Sequence, residues 1–129
     1  MIKISISSVL VDDQDKALEF YTEVMGFVKK SDIPIGEFKW LTVTSSEGEN
    51  NNELLLEPMS FPPAKTYQKA LFEAGIPLTA FATDDILVEY KRLKALGVTF
   101  RGEPQEMGSI TSVLFEDTCG NLINLFQTI

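Results

Sequence analysis

The chain has 129 residues, a net charge of −8, no histidine and one cysteine, and 44% of its residues are hydrophobic. This length and apolar content are typical of one compact domain, whereas the acidic balance argues against a nucleic-acid partner. Without histidine, zinc sites of three histidines and Ser-His-Asp triads are excluded.

The first residues, MIKISISSVLV, alternate polar and apolar side chains, which predicts a strand and not the continuous apolar block of a secretory signal. No run of about 18 apolar residues exists, so we expect no membrane-spanning helix. A single cysteine, Cys119, cannot form an internal disulfide framework. Together these features favour a soluble cytoplasmic protein.

Two copies of one pattern follow each other along the chain. In residues 9–27 a strand ends at Asp12 and Asp13, an apolar stripe recurs at helical spacing, and Gly26 ends the helix. Residues 80–98 repeat this order with Asp84, Asp85 and Gly97, at an offset of 72 residues for the aspartates.

Each copy continues with an intervening segment and two further strands. The first copy contains the strand pair of residues 38–58 around an asparagine-rich turn at 50–52, and the second contains the pair of residues 109–127 around Gly120-Asn121. Each module is therefore predicted as strand, helix and three strands. The modules cover about residues 1–58 and 77–129, and a short helix at 64–74, after Pro62-Pro63, lies in the connecting segment of about 59–76.

These paired modules, together with VDDQDKALEFYTEVMGF and FEDTCGNLINLF, resemble the vicinal oxygen chelate superfamily. That superfamily includes glyoxalase I, extradiol dioxygenases, fosfomycin resistance enzymes and bleomycin resistance proteins. The resemblance covers the whole chain. It implies one α+β domain in which two βαβββ modules form a curved, eight-stranded mixed sheet, a half-barrel, around a small-molecule cleft, usually in a homodimer.

The metal-dependent members of this superfamily place one metal ligand on the first and last strand of each module. By the resemblance, these positions fall at Ile6, Glu53, Leu78 and Asn124 in this chain. Only Glu53 is a good ligand, and a register shift by one residue at Ile6 or Leu78 brings in no imidazole or thiolate. We therefore expect no metal cofactor.

Period-two alternation along the strands indicates which other side chains line the expected cleft. The candidate ligand-binding residues are Trp40, Thr42, Glu53, Leu55, Thr111, Asn124 and Phe126. Trp40 and Thr42 alternate with Leu41 and Val43, which we expect to pack against the helix. Each candidate also has a structural reading, as core, interface or solvated turn. Cys119 has no neighbouring histidine or cation, and Arg101 is expected at the surface, with an anionic ligand as the alternative.

The sequence favours a protein that binds a small organic ligand without a metal, resembling the bleomycin resistance branch. The acidic balance suits a cationic ligand. The alternative is a metal-dependent lyase or dioxygenase of the glyoxalase type with a rearranged site, and a third hypothesis is a subunit that binds another protein. The expected partners are a small molecule and a second copy of the chain, with no nucleic acid and no membrane.

Overall fold

The computed structural model describes residues 1–46 and 52–129, which divide into two compact units, Met1–Lys65 and Thr66–Ile129. The first unit contains strands β1 (Ile6–Val11), β2 (Val28–Ile35), β3 (Phe38–Thr44) and β4 (Glu53–Pro58), and helix α1 (Gln14–Glu19). A π-helical segment, Phe20–Val24, continues α1 directly. The predicted strand, helix and three strands are confirmed for this module.

The second unit repeats the same order of elements. Its strands are β5 (Thr79–Ala82), β6 (Gln105–Met107), β7 (Ile110–Glu116) and β8 (Leu122–Thr128), with helix α3 (Ile86–Ala95) between β5 and β6. Each unit has one four-stranded mixed sheet, in the orders β1-β4-β3-β2 and β5-β8-β7-β6, with a parallel pair at one edge and antiparallel pairs elsewhere. The α+β class and the two βαβββ modules are thus as the sequence predicts.

Aspartate caps begin α1 and α3, as predicted. The side chain of Asp13 accepts a hydrogen bond from the backbone N–H of Lys16, and that of Asp85 accepts one from Val88. Each bond satisfies one of the backbone donors that a helix leaves free in its first turn. Gly26 and Gly97 follow the helices with positive φ angles of 85° and 91°.

Helix α2 (Pro62–Ala74) begins two residues earlier than the sequence predicts. Proline lacks an N–H, and the first turn of a helix needs none, so Pro62 and Pro63 start this helix. Most of α2 belongs to the second unit, where Gln68 and Phe72 contact residues of that module. Of the predicted asparagine-rich turn, Asn50 and Asn51 lie outside the described residues.

The core of the first unit lies on one face of its sheet. Fully buried apolar residues alternate along the strands and lie on the same side as Ala17 and Tyr21 of the helical segment; they include Val9, Val11, Leu41, Val43 and Leu56. Leu41 and Val43 are fully buried and belong to the core, as predicted. In residues 1–46 and 52–129, no helix has the length and apolar character to cross a membrane.

Candidate functional site

The candidate residues of the first unit lie together on the sheet face opposite this core. We call it the Trp40 face; it carries Trp40, Thr42 and Thr44 on β3 and Glu53, Leu55 and Glu57 on β4. The register pairs Thr42 with Leu55, so these two side chains point to the same side, and Ile33 of β2 is paired with Trp40. Trp40 is half-buried, whereas Thr42 is fully buried. The structure therefore brings Trp40, Thr42, Glu53 and Leu55 onto one surface, as the sequence predicts.

A small polar cluster lies at the centre of the Trp40 face. The hydroxyl of Thr42 donates a hydrogen bond of 2.7 Å to Oε1 of Glu53 and accepts one of 3.1 Å from the backbone N–H of Ser31. The ammonium of Lys30 lies 3.7 Å from Oε2 of Glu53, and only 16% of the Glu53 side chain is exposed. Sequence reasoning missed Lys30, because it assigned no face to the residues of β2, a strand that also contains a bulge.

The bulge in β2 falls at Lys30. Lys29 is paired with Val43 and Ser31 with Thr42, so two steps along β2 match a single step along β3 and Lys30 is the extra residue. Val28 is paired with Thr44 and Lys29 with Val43, so simple alternation places Lys30, like Val28, on the Trp40 face. The bulge interrupts this alternation after Lys30, so Ser31 is the residue paired with Thr42, and the side chain of Lys30 lies beside Glu53.

In the second unit, Asn124 and Phe126 lie on one face of the sheet. Asn124 is paired with Ala80 and Leu114, and Phe126 with Ala82 and Ser112. Both side chains are half-buried. Their neighbours on β5 are the small residues Ala80 and Ala82, and both Asn124 and Phe126 remain candidates for ligand contact within this unit.

Thr111 does not lie with Asn124 and Phe126. It is paired with Gln127, whose side chain accepts a hydrogen bond from the backbone N–H of Ile86 at the start of α3. Phe115 is four residues from Thr111 on β7, so both side chains lie on the same face of the sheet. Phe115 is fully buried and packs against Phe100, and Phe100 contacts Tyr90 of α3. Thr111 therefore lies on the face of the sheet that packs against α3. The prediction that Thr111 lies on the opposite face, with Asn124 and Phe126, is wrong. Ser112 and Leu114 occupy the face that was expected for Thr111.

The strand registers also identify which residues of the two modules correspond. Residues 45–52 connect β3 to β4, whereas residues 117–121 connect β7 to β8, so the first connection is three residues longer. Ser8 and Ala80 are equivalent at the offset of 72 residues, and their strand partners are Leu55 and Asn124. Leu55 is thus the counterpart of Asn124, and Glu53 is the counterpart of Leu122.

This correspondence bears on the metal positions that the family resemblance implies. The four equivalent positions are then Ile6, Leu55, Leu78 and Asn124, of which only the amide of Asn124 offers an oxygen. In the described ranges, 1–46 and 52–129, no three His, Cys, Asp or Glu side chains converge. The residues present do not fit the metal centre of the metal-dependent relatives.

Cys119 and Arg101 both take part in contacts within the second unit. Cys119 is fully buried in the β7–β8 turn, where its carbonyl oxygen accepts a hydrogen bond from the side chain of Gln68. Arg101 forms a 3.1 Å ion pair with Glu116, and its guanidinium lies 5.2 Å from the ring centre of Phe72. Arg101 is therefore engaged at the surface of the second unit, as the sequence predicts.

A cavity of about 400 Å³ lies elsewhere in the first unit, between the first turn of α1, the β2–β3 turn and the end of β4. Its polar side chains are largely engaged in the fold: Asp13 caps α1, Gln14 binds backbone groups of Lys39 and Leu56, and Asp15 pairs with Lys39 at 3.0 Å. The hydrogen bond and charge of Asp15 raise the pKa of Lys39. None of the predicted site residues lines this cavity, and we do not assign the site to it.

The order of elements and the two sheets place the chain among small α+β proteins with paired βαβββ modules. A family model described as Glyoxalase/Bleomycin resistance protein/Dioxygenase superfamily matches residues 3–125, and the chain belongs to this superfamily. The uncharacterized protein YurT of Bacillus subtilis (strain 168) is 53% identical over 126 residues, covering 98% of this chain and 99% of YurT.

Two solved structures are close in fold. UcmS2 has a TM-score of 0.83 and 30% identity, with 98% of each chain covered. TnmS3 from Streptomyces sp. CB03234, described as an antibiotic binding protein, has a TM-score of 0.79 and 29% identity, covering all of this chain and 98% of TnmS3. Similarity of this extent includes both modules of the chain.

Proposed function

We propose that this protein binds a small organic molecule on the Trp40 face and that it does so without a metal ion. The observation that carries the proposal is the arrangement of that face. A half-buried indole ring lies on the same surface as a carboxylate that a buried hydroxyl holds in place. Apolar or aromatic surface with a few fixed polar groups is the usual composition of a ligand site.

The similarity to TnmS3 supports the same proposal. At 29% identity over the whole chain, an antibiotic binding protein shares the fold and both modules. The ligand class that we propose for this chain is an antibiotic or an organic compound of similar size, and the indole of Trp40 favours one with a flat ring. We further expect the protein to act as a cytoplasmic homodimer, as composition and the family resemblance suggest.

The side chains at the metal positions support metal-free binding. Ile6, Leu55 and Leu78 offer no donor atom, and a single amide at Asn124 leaves nearly the whole coordination shell of an ion to water. Glu53, a carboxylate two residues from Leu55, is held by Thr42 and lies beside Lys30. A cation at Glu53 would have to displace the Lys30 ammonium.

Metal analysis of the purified protein tests this part of the proposal. We expect far less than one zinc, nickel, iron or manganese ion per chain, and no loss of ligand binding after treatment with a chelator. About one such ion per chain, removed by chelator together with ligand binding, would refute metal-free binding and favour the glyoxalase-type alternative.

A further inference from the structure

The polar cluster of the Trp40 face has a definite pattern of hydrogen-bond donors and acceptors. Thr42 has one hydroxyl hydrogen, which it donates to Glu53, and it accepts the N–H of Ser31. With its hydrogen already committed, Thr42 has none to offer a ligand. Thr42 is thus a positioning residue that fixes one oxygen of Glu53.

The other oxygen of Glu53 and the ammonium of Lys30 have spare hydrogen-bonding capacity. Their separation of 3.7 Å lets the two charges attract each other but exceeds the usual 2.7–3.2 Å of an N–H···O hydrogen bond. A carboxylate accepts several hydrogen bonds and an ammonium has three donors. The pair therefore presents one acceptor and one donor side by side.

The side chain of Lys30 is what balances the charge of Glu53. Without it, Glu53 would be an isolated carboxylate on the Trp40 face. An isolated carboxylate favours a cationic ligand, as does the net charge of −8. With Lys30 beside it, the charge of Glu53 is locally balanced.

We propose that Lys30 and Glu53 form a charge-balanced anchor that selects a neutral ligand group with an adjacent donor and acceptor, such as a carboxamide, attached to a flat aromatic system. The N–H of the amide donates to Glu53 and its carbonyl accepts from Lys30. Thr42, which binds Glu53, is two residues from Trp40 on the same strand face, about 7 Å away. A ligand with two fused rings therefore spans the distance from the anchor to the indole. This inference rests on the proposed function and names the ligand class of the same site.

Three naphthalene compounds that differ only in charge test the inference: 2-naphthamide, 2-naphthoate and 2-naphthylmethylammonium. Trp40 is the only tryptophan, so quenching of protein fluorescence reports binding near it directly. For the unmodified protein we expect 2-naphthamide to bind at least tenfold more tightly than either charged compound.

Two variants then reverse the preference in opposite directions. In Lys30→Met the carboxylate of Glu53 is left unbalanced, and we expect the ammonium compound to become the tightest of the three. In Glu53→Gln the amide still accepts from Thr42 while Lys30 is left unbalanced, and we expect 2-naphthoate to gain at least tenfold. Lys29→Met is the matched control, because Lys29 pairs with Asp32 at 3.3 Å; it should leave the order unchanged.

The outcomes separate the inference from the function on which it rests. If the compounds quench Trp40 but their order is the same in both variants, or if the unmodified protein prefers the ammonium compound, the charge-balanced anchor is wrong and ligand binding stands. If none of the three quenches Trp40 in any variant at millimolar concentration, the ligand site on this face is wrong and the anchor with it. Circular-dichroism melts establish that each variant is folded.

Discussion

Trp40 has two properties that make it the most informative single residue of the site. It is the only tryptophan, and it lies half-buried on the sheet face that is turned away from the core. Its strand partner, Ile33, is 55% exposed, so the ring has an apolar neighbour but is not enclosed. A residue in these surroundings is accessible to a ligand and lies outside the core of the first unit.

Replacement of Trp40 by alanine should therefore weaken binding more than it weakens folding. Loss of a stacked aromatic pair costs about 0.5–1.5 kcal/mol beyond the buried area, so we expect roughly a tenfold loss of 2-naphthamide affinity in calorimetry. The free energy of unfolding should fall by about 1–2 kcal/mol, below the 3–5 kcal/mol typical of a buried tryptophan. A larger loss of stability with unchanged affinity would assign Trp40 to the core instead.

The faces of β3 and β7 show where prediction from the sequence succeeded and where it failed. On β3, polar or aromatic residues alternate strictly with Leu41 and Val43, and the buried face follows from that pattern. On β7 both alternating sets contain apolar residues, so hydrophobicity does not distinguish the face of Thr111 from that of Ser112. The contact of Phe115 with Phe100, on the α3 side, shows which face of the sheet Thr111 occupies.

The residue of the second module that corresponds to Glu53 is also hard to identify from the sequence, because the two β-hairpins differ in loop length. Alignment of the repeats at a nearly constant offset matches Glu53 with Asn124, although three extra residues between β3 and β4 shift the match to Leu55. Loop length is not visible as periodicity, so the error arises where the repeat has an insertion. The extra residue in β2 is hidden for the same reason.

At the scale of elements, a buried polar network joins α2 to the β7–β8 turn. The carboxylate of Asp117 accepts hydrogen bonds from the backbone N–H groups of Cys119 and Asn121 and from the Asn121 side chain. Gln68 of α2 in turn donates to the carbonyl of Cys119 and to the side chain of Asn121, at 3.1 and 2.9 Å. Since buried polar groups are costly when unpaired, the members of this network stabilise one another.

Gly120 lets α2 approach the turn closely, and its replacement by alanine tests the network. Gly120 has a φ of 98°, and a Cβ there would lie 2.8 Å from Oε1 of Gln68. We expect Gly120→Ala to lower the free energy of unfolding by about 3 kcal/mol, from backbone strain plus displaced buried hydrogen bonds. Denaturant titration measures this change.

Gly108→Ala is the control for Gly120→Ala, because Gly108 also has a positive φ, of 66°, but no atom within 4 Å of its hypothetical Cβ. It should cost only the backbone strain, about 1–2 kcal/mol. In a Gln68→Ala background, the additional cost of Gly120→Ala should largely disappear. Equal losses for the two glycine variants would show that the close approach to Gln68 has no energetic role.

The ends of the helices show which features of the fold follow from neighbouring residues and which depend on tertiary contacts. The caps of α1 and α3 follow from aspartates next to their helices, a local signal that the sequence carries in full. The π-helical turn at Phe20–Val24 and the buried network at Gln68 depend on tertiary packing. The sequence therefore predicts the elements and their order well, and the close contacts between them poorly.

At the scale of the whole molecule, the chain carries exposed apolar side chains that alternate along its N-terminal segment. Ile2, Ile4 and Ile6 are 100%, 83% and 40% exposed, and they lead into β1, an edge strand of the first sheet. Alternating apolar residues on an exposed edge favour pairing with another chain. This surface is a second reason, besides the family resemblance, to expect a homodimer.

Light scattering tests the dimer directly. At micromolar concentration we expect about twice the 14.4 kDa chain mass, because a small domain with uncovered apolar side chains gains stability when a second copy covers them. The double variant Ile2→Lys, Ile4→Lys should raise the dissociation constant of the dimer at least tenfold through loss of buried apolar area. Leu87→Lys, Val88→Lys is the control, since both side chains are also more than half exposed but lie on α3. A monomeric mass for the unmodified protein would contradict the homodimer, and equal effects of the two double variants would remove the N-terminal segment from the interface.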